Sequence, residues 1–520
     1  MNRTTLILFF IILSNTITVI HGYVRGCYYT NWAQYRDGEG KFLPGNIPNG
    51  LCTHILYAFA KVDELGDSKP FEWNDEDTEW SKGMYSAVTK LRETNPGLKV
   101  LLSYGGYNFG SAIFTGIAKS AQKTERFIKS AIAFLRKNNF DGFDLDWEYP
   151  VGVAEEHAKL VEAMKTAFVE EAKTSGKQRL LLTAAVSAGK GTIDGSYNVE
   201  SLGKNFDLLF LMSYDLHGSW EKNVDLHGKL HPTKGEVSGI GIFNTEFAAD
   251  YWASKGMPKE KIIIGIPMYA QGWTLDNPSE TAIGAAASRP SSASKTNPAG
   301  GTASYWEICK YLKEGGKETV HQEGVGAYMV KGDQWYGYDN EETIRIKMKW
   351  LKEKGYGGAF IWALDFDDFT GKSCGKGPYP LLNAISSELE GESENPEITT
   401  EEPSITETEA YETDETEETS ETEAYDTDET EETSETEATT YDTDETEETS
   451  ETEATTYDTD ETEGQECPER DGLFPHPTDC HLFIQCANNI AHVMQCPATT
   501  FFNDAIKVCD HMTNAPDTCI

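Results

Sequence analysis

Beyond its first dozen or so residues, this chain has no apolar run near the roughly 20 residues needed to cross a bilayer. Its C-terminus also lacks the hydrophobic tail of a lipid-anchor signal. Residues 388–466 have no Lys or Arg, yet hold 35 of the 86 acidic residues. The rest of the chain carries 51 acids against 44 bases, so the net charge of −42 belongs mostly to one segment. Such a balance argues against binding nucleic acid or an anionic membrane surface. No Cys-x2-Cys pair occurs, which weakens any zinc-site reading. No metal and no cofactor is expected, and the chain is expected to be a monomer. After Asn2-Arg3-Thr4 there is no further Asn-x-Ser/Thr acceptor.

What is present divides the chain. Residues 1–22 read as a secretory signal peptide: Arg3 in a short polar start, an apolar core from Leu6 to Ile12, and a small residue near the end at Gly22. The protein is therefore expected to be extracellular. Ten cysteines suit an oxidising compartment. Six of them crowd into the last 54 residues, and Cys27, Cys52, Cys309 and Cys374 are spread through the long first part.

Residues 23–387 read as one α/β domain. Eight candidate strands, Val24–Thr30, Thr53–Ala60, Lys99–Tyr104, Phe140–Asp146, Leu180–Val186, Leu208–Tyr214, Lys261–Pro267 and Gly358–Ala363, mostly alternate with helical patterns such as Glu125–Asn138 and Thr343–Lys354. That alternation predicts a (β/α)8 TIM barrel. The long gap after the seventh strand, about 269–340 and rich in aromatics, predicts a small inserted α+β subdomain.

The most informative stretch is Asp141-Gly142-Phe143-Asp144-Leu145-Asp146-Trp147-Glu148-Tyr149-Pro150. Asp144, Asp146 and Glu148 recur every second residue, so on a strand they share one face. Three acids on one side of a buried strand are costly unless they share protons or bind something. Asp141 has the other parity and reads as a support residue. The stretch resembles the DxxDxDxE signature of glycoside hydrolase family 18, the chitinases. The resemblance implies hydrolysis of β-1,4-linked N-acetylglucosamine, with the substrate's own acetamide as nucleophile instead of a second carboxylate. It implies Glu148 as general acid and then base, Asp146 as the group that holds the acetamide N–H, and Asp144 as a deeper acid sharing a proton with Asp146.

Further motifs extend the likeness. Leu211-Met212-Ser213-Tyr214-Asp215 resembles the family's sixth-strand motif, in which Tyr214 would donate to the acetamide oxygen with Asp215 beside it. Met212 and Ser213 would join the sugar-binding wall. Trp362 matches the residue under the central sugar. Tyr29, Trp32, Glu72, Trp73, Tyr107, Asn108, Tyr149 and Trp220 match other cleft positions, where flat rings suit pyranose faces. Gly105 and Gly106 would let the backbone approach the sugar. Many relatives carry Trp at Tyr107 and Arg at Gln271, and both positions would line the cleft. The resemblance also implies disulfides Cys27–Cys52 and Cys309–Cys374.

Residues 388–466 form a low-complexity linker whose repeat begins at Glu407, Glu421, Glu435 and Glu451. It has too little apolar content to fold, and its Thr and Ser suit O-glycosylation. Residues 467–520 carry C-x12-C-x5-C-x9-C-x12-C-x9-C, which spacing alone leaves open to fifteen pairings. The module resembles the peritrophin-A type of chitin-binding domain. That likeness implies Cys467–Cys486, Cys480–Cys519 and Cys496–Cys509. Phe474, Phe483, Phe501 and Phe502 are either sugar-stacking faces or core. Chitin and chitooligosaccharides are the expected partners, and the whole layout resembles secreted nematode chitinases. The alternatives are a chitin lectin with a weakened catalytic site and a structural sheath protein.

Overall fold

The computed structural model describes residues 22–234, 241–390, 472–487, 490–495, 500–504, 508–511 and 519. The leader, the repeats from Glu407 onward, Cys467 and Cys496 lie outside these residues, as do the side chains of Cys486 and Cys509. The pairings Cys467–Cys486 and Cys496–Cys509 therefore fall outside the described structure.

Eight parallel strands form the first unit: β1 (Val24–Thr30), β2 (His54–Val62), β3 (Lys99–Gly105), β4 (Gly142–Asp146), β5 (Leu181–Ser187), β6 (Leu208–Met212), β7 (Ile262–Pro267) and β8 (Gly358–Trp362). Each pairs with the next, and β8 returns to β1, so the sheet is closed. This is the expected TIM barrel. The strands are buried almost end to end because helices cover the outside and side chains fill the inside.

Parity along each strand sorts the side chains. Tyr28, Leu56, Phe210, Ile263 and Phe360 pack together inside the barrel. Their neighbours Tyr29, Tyr57, Leu209, Ile264 and Ile361 join the larger core between sheet and helices. The helix Ala121–Lys137 shows how that outer layer is specified. Ser120 caps it by accepting from the Lys123 N–H, Phe127, Ile128, Ala131 and Leu135 face inward, and Arg136 and Lys137 occupy the last turn. Glu341–Lys354 starts at the Asn340 cap and stops at Gly355, which takes the left-handed conformation.

Between β7 and β8 the chain forms a separate antiparallel sheet, from Tyr269–Thr274 to Gln334–Tyr338, with the helix Tyr305–Lys313. Bridges join Cys27 to Cys52 and Cys309 to Cys374.

The second unit has a three-stranded antiparallel sheet, Gly472–Pro475, Leu482–Ala487 and Ile490–Gln495, and a two-stranded one, Thr500–Asn503 with Val508–His511. Cys480 is bridged to Cys519. Phe501 and Phe502 are buried, and Phe483 stacks on Phe502 at 5.0 Å between centroids. These rings act as core, which a module this small needs. Among the described residues no helix is long and apolar enough to cross a membrane.

Candidate active site

The acid ladder leaves the C-terminal end of β4. Asp144 and Asp146 point into the barrel, while Phe143, Leu145 and Trp147 point outward into the helix layer. Asp144 is deepest. Its cross-strand neighbours on both sides donate to it, Ser103 at 2.7 Å and Thr183 at 2.6 Å. Tyr28, from the inward face of β1, donates a third hydrogen bond at 2.8 Å. Burial raises the Asp144 carboxyl above its usual range, and these donors oppose that.

Asp146 is also buried, and its Oδ1 has no hydrogen-bond partner among the described residues. Burial first, then the charges of Glu148 and Asp144, hold it well above the ordinary carboxylate range. Asp144 is thus held by three hydroxyls, while Asp146 keeps an open oxygen.

Glu148 is half-buried at the cavity wall. Burial and the charge of Asp215 raise its pKa, against a hydrogen bond from Tyr149. Burial keeps the Tyr214 phenol well above its usual range, with the Asp146, Asp215 and Glu148 charges acting the same way. Tyr214 is therefore a hydrogen-bond donor at any working pH. Asp215 behaves differently. The protein packed around its carboxylate would raise it, although the side chain is 45% exposed, but hydrogen bonds from His227, Gln271 and Tyr269 outweigh that and keep it below the usual range. Gln271 donates to it at 2.6 Å. Gln271 thus braces Asp215 and does not line the cavity.

These groups open into a cavity of about 620 Å³ whose lining comes from the C-terminal ends of β1 to β6 and β8. Barrel enzymes place their sites at that end. Trp32, Glu72, Gly105, Gly106, Tyr107, Asn108, Tyr149, Met212, Asp215 and Trp362 all line it. Trp362 packs between Tyr28 at 5.2 Å and Phe59 at 6.1 Å.

Two expected binding residues lie elsewhere. Tyr29 is fully buried in the outer core against Tyr57 and Phe42, because it has the outward parity that Tyr28 lacks. Ser213 has the same outward parity on the far side of Tyr214. It is buried and exchanges hydrogen bonds with the Gly265 backbone. Trp73, next to the cavity-lining Glu72, and Trp220 present exposed rings, 82% and 65% accessible, and do not line the enclosed part of the cavity. The glycine pair also has a different reason. A Cβ on Gly105 would lie 2.1 Å from the Asp146 carbonyl, and one on Gly106 would strike the Phe59 ring. The close approach is to the acid strand's own backbone, and Gly106 N–H donates to that carbonyl at 2.9 Å.

Several site residues escape a reading by motif. Tyr28 and Thr183, which hold Asp144 together with Ser103, both sit at inward positions that strand parity could have found. Phe59 lies in β2 at the cavity wall. Phe243 comes from a loop with no periodic pattern, and nothing in the sequence marks it.

Comparison with known proteins places this geometry. The family profile of glycosyl hydrolases family 18 matches residues 24–367, and that of the chitin binding Peritrophin-A domain matches residues 467–519. An endochitinase from Brugia malayi is 97% identical over 520 residues, the full length of both chains. The solved immunomodulatory active chitinase from Trichuris suis is 44% identical, covers 71% of this chain and 100% of its own, and has a TM-score of 0.68. Human YKL-39, described as a pseudo-chitinase with retained chitooligosaccharide binding, is 42% identical over the same 71% of this chain and 100% of its own, with a TM-score of 0.67.

Proposed function

This chain belongs to the family 18 glycosyl hydrolases, and from that premise we propose that it is a secreted endochitinase working through the substrate's acetamide group. The observation that carries the proposal is the pairing of an intact Glu148, whose pKa burial raises, with an unpartnered inward oxygen on Asp146. A binding protein has no use for the first, and the second is an acceptor site waiting for a donor. The acetamide N–H of the sugar bound over Trp362 supplies that donor.

The chemistry follows from these positions. Glu148 transfers its proton to the glycosidic oxygen as the bond to the anomeric carbon breaks. The acetamide carbonyl oxygen attacks the same carbon from the opposite face and closes an oxazolinium ring. Asp146 holds the N–H and balances the positive charge that develops, and the Tyr214 hydroxyl donates to the acetamide oxygen and aligns it. Glu148, now a carboxylate, takes a proton from water, which attacks the anomeric carbon and reopens the ring. Two inversions give retention, so the first product is the β-anomer. Asp144, locked by three hydroxyls, fixes the strand that carries both working acids.

The C-terminal module keeps the enzyme on its polymer and raises the local concentration of substrate. The leader pattern supports secretion. Remodelling of a chitinous sheath, cuticle or eggshell, at moulting or hatching, is the role that fits. The test is Glu148→Gln on a soluble chitin oligomer, with product anomers followed by NMR. Loss of a general acid costs about 10²–10⁴-fold, so turnover should fall at least that far while oligomer binding persists. The parent should release β-anomers. Full activity in the variant, or α-anomers from the parent, would sink the proposal.

A further inference from the structure

Trp80 is 90% exposed, and Trp73, seven residues earlier on the same loop, is 82% exposed. Neither ring lines the catalytic cavity. The loop that carries them is tightly held. At its base, Met84 N–H donates to the Asn74 carbonyl and Tyr85 N–H to the Asp75 carbonyl, both at 2.9 Å. The buried Asp75 carboxylate takes bonds from the Phe71 and Glu72 N–H groups and from Asn31 and Tyr57. Phe71 and Glu72 are cavity-lining residues, so the same anchor fixes the cleft wall and the base of the Trp80 loop. At the tip, the Thr78 hydroxyl accepts from the N–H groups of Trp80 and Ser81, at 3.3 and 3.1 Å, and Thr78 N–H donates back to the Ser81 carbonyl at 2.9 Å. Gly83 closes the loop where a Cβ would lie 2.4 Å from the Asp75 carbonyl. An indole is therefore presented to solvent by a pinned turn.

We propose that this turn is a second carbohydrate-docking point on the barrel unit, where Trp80 stacks on the flat face of an N-acetylglucosamine polymer beyond the catalytic cavity. The inference rests on the chitinase reading above. Three features select that occupant. Indole faces suit the apolar faces of pyranose rings. The turn is joined to the cleft wall through Phe71 and Glu72, which line the cavity and hang on the same buried Asp75 that anchors the loop. The loop also carries Glu72, Glu76, Asp77 and Glu79 outside its buried anchor, against Lys82 alone, a field that repels phosphate and anionic lipid but leaves a neutral polysaccharide untouched.

The test compares Trp80→Ala and Trp80→Phe with the parent sequence, each in a Glu148→Gln background, by depletion onto solid chitin. The barrel unit is used alone so that the C-terminal module does not mask the effect. It can stand alone, because a solved relative consists of that unit over its full length. One lost stacking contact predicts weaker binding by about three- to tenfold for Trp80→Ala, with most of it restored in Trp80→Phe. Binding of a soluble tetrasaccharide should fall by less, so the solid-to-soluble ratio drops. An unchanged ratio overturns the proposal. So does equal loss on both ligands, which would mean that the turn merely shapes the cleft. A change in sedimentation coefficient without a change in chitin binding also overturns it, in favour of contact between copies. Hydrolysis of soluble oligomers by the protein with Glu148 intact reports on the function itself, and the binding ratio reports on Trp80.

Discussion

Lys347 and Asp339 are as deeply buried as Asp144 and Asp146, and the contrast between these two regions separates architecture from chemistry. The Lys347 ammonium meets the Asp339 carboxylate and the Gly228 carbonyl, each at 2.6 Å, and Thr343 donates to the other Asp339 oxygen. Nearby, Lys229 is paired with Asp225 at 2.8 Å. Those charges are matched, and they tie the long loop after β6 to the helix Glu341–Lys354. At the end of β4 no cation among the described residues pairs with the acids. Asp144 has hydroxyls, Asp146 keeps a bare oxygen, and both carboxyls are pushed toward their neutral forms. A fold keeps matched buried charge for structure, whereas unmatched buried acid persists where a ligand completes it.

The largest test of that contrast breaks the matched pair. Lys347→Met leaves Asp339 buried without its counter-ion, which costs about 3–5 kcal/mol. The melting temperature should fall sharply, and the double variant with Asp339→Leu should recover much of the loss. A stable single variant would mean that the matched pair is no more structural than the acid ladder.

Asp146→Asn should show the reverse pattern. Turnover on a soluble oligomer should fall about 10²-fold, as when one preorganised charge is removed, while stability rises. The sign follows from linkage. An acid raised in the folded state binds protons that the unfolded chain has already released, so stability declines as pH climbs above the usual carboxylate range. The gain in melting temperature for Asp146→Asn should therefore be absent in acid and grow toward neutral pH. A neutral-pH loss of stability would contradict the comparison.

The smallest effect belongs to Asp215→Asn. Burial and the Asp215 charge raise Glu148, so removing that charge lowers it. Glu148 works as an acid, and activity fades as pH rises through its pKa. The basic limb of the kcat/KM profile should move to lower pH, by about one unit or less. A shift to higher pH would show that Asp215 acts on another group.

Much of the site is legible in the sequence because strand period and chemistry agree there. Asp144, Asp146 and Glu148 announce one face by spacing alone, and Met212 and Tyr214 repeat the pattern on β6. The misreadings share a cause. Tyr29 and Ser213 sit one residue out of phase with Tyr28 and Tyr214, and a motif quoted as a block hides which of its members face the barrel interior. Trp73 and Trp220 are a different case. They belong to loops, where no periodicity fixes direction and only the fold decides whether a ring faces the cavity or the solvent. Gln271 was misplaced because its partner, Asp215, is 56 positions away in sequence.

By itself the sequence determined the closed α/β barrel, through the alternation of apolar strands with amphipathic helices, and the identity of the working acids, through their period of two. Those are local properties, set by side-chain direction along a single strand. Only the tertiary structure decided which acid is held by hydroxyls and which is left open. Tyr28, Ser103 and Thr183 reach Asp144 from three different strands, and none comes to Asp146 Oδ1. Burial and hydrogen bonding, which set a carboxyl's proton affinity, depend on neighbours that meet only when the barrel closes.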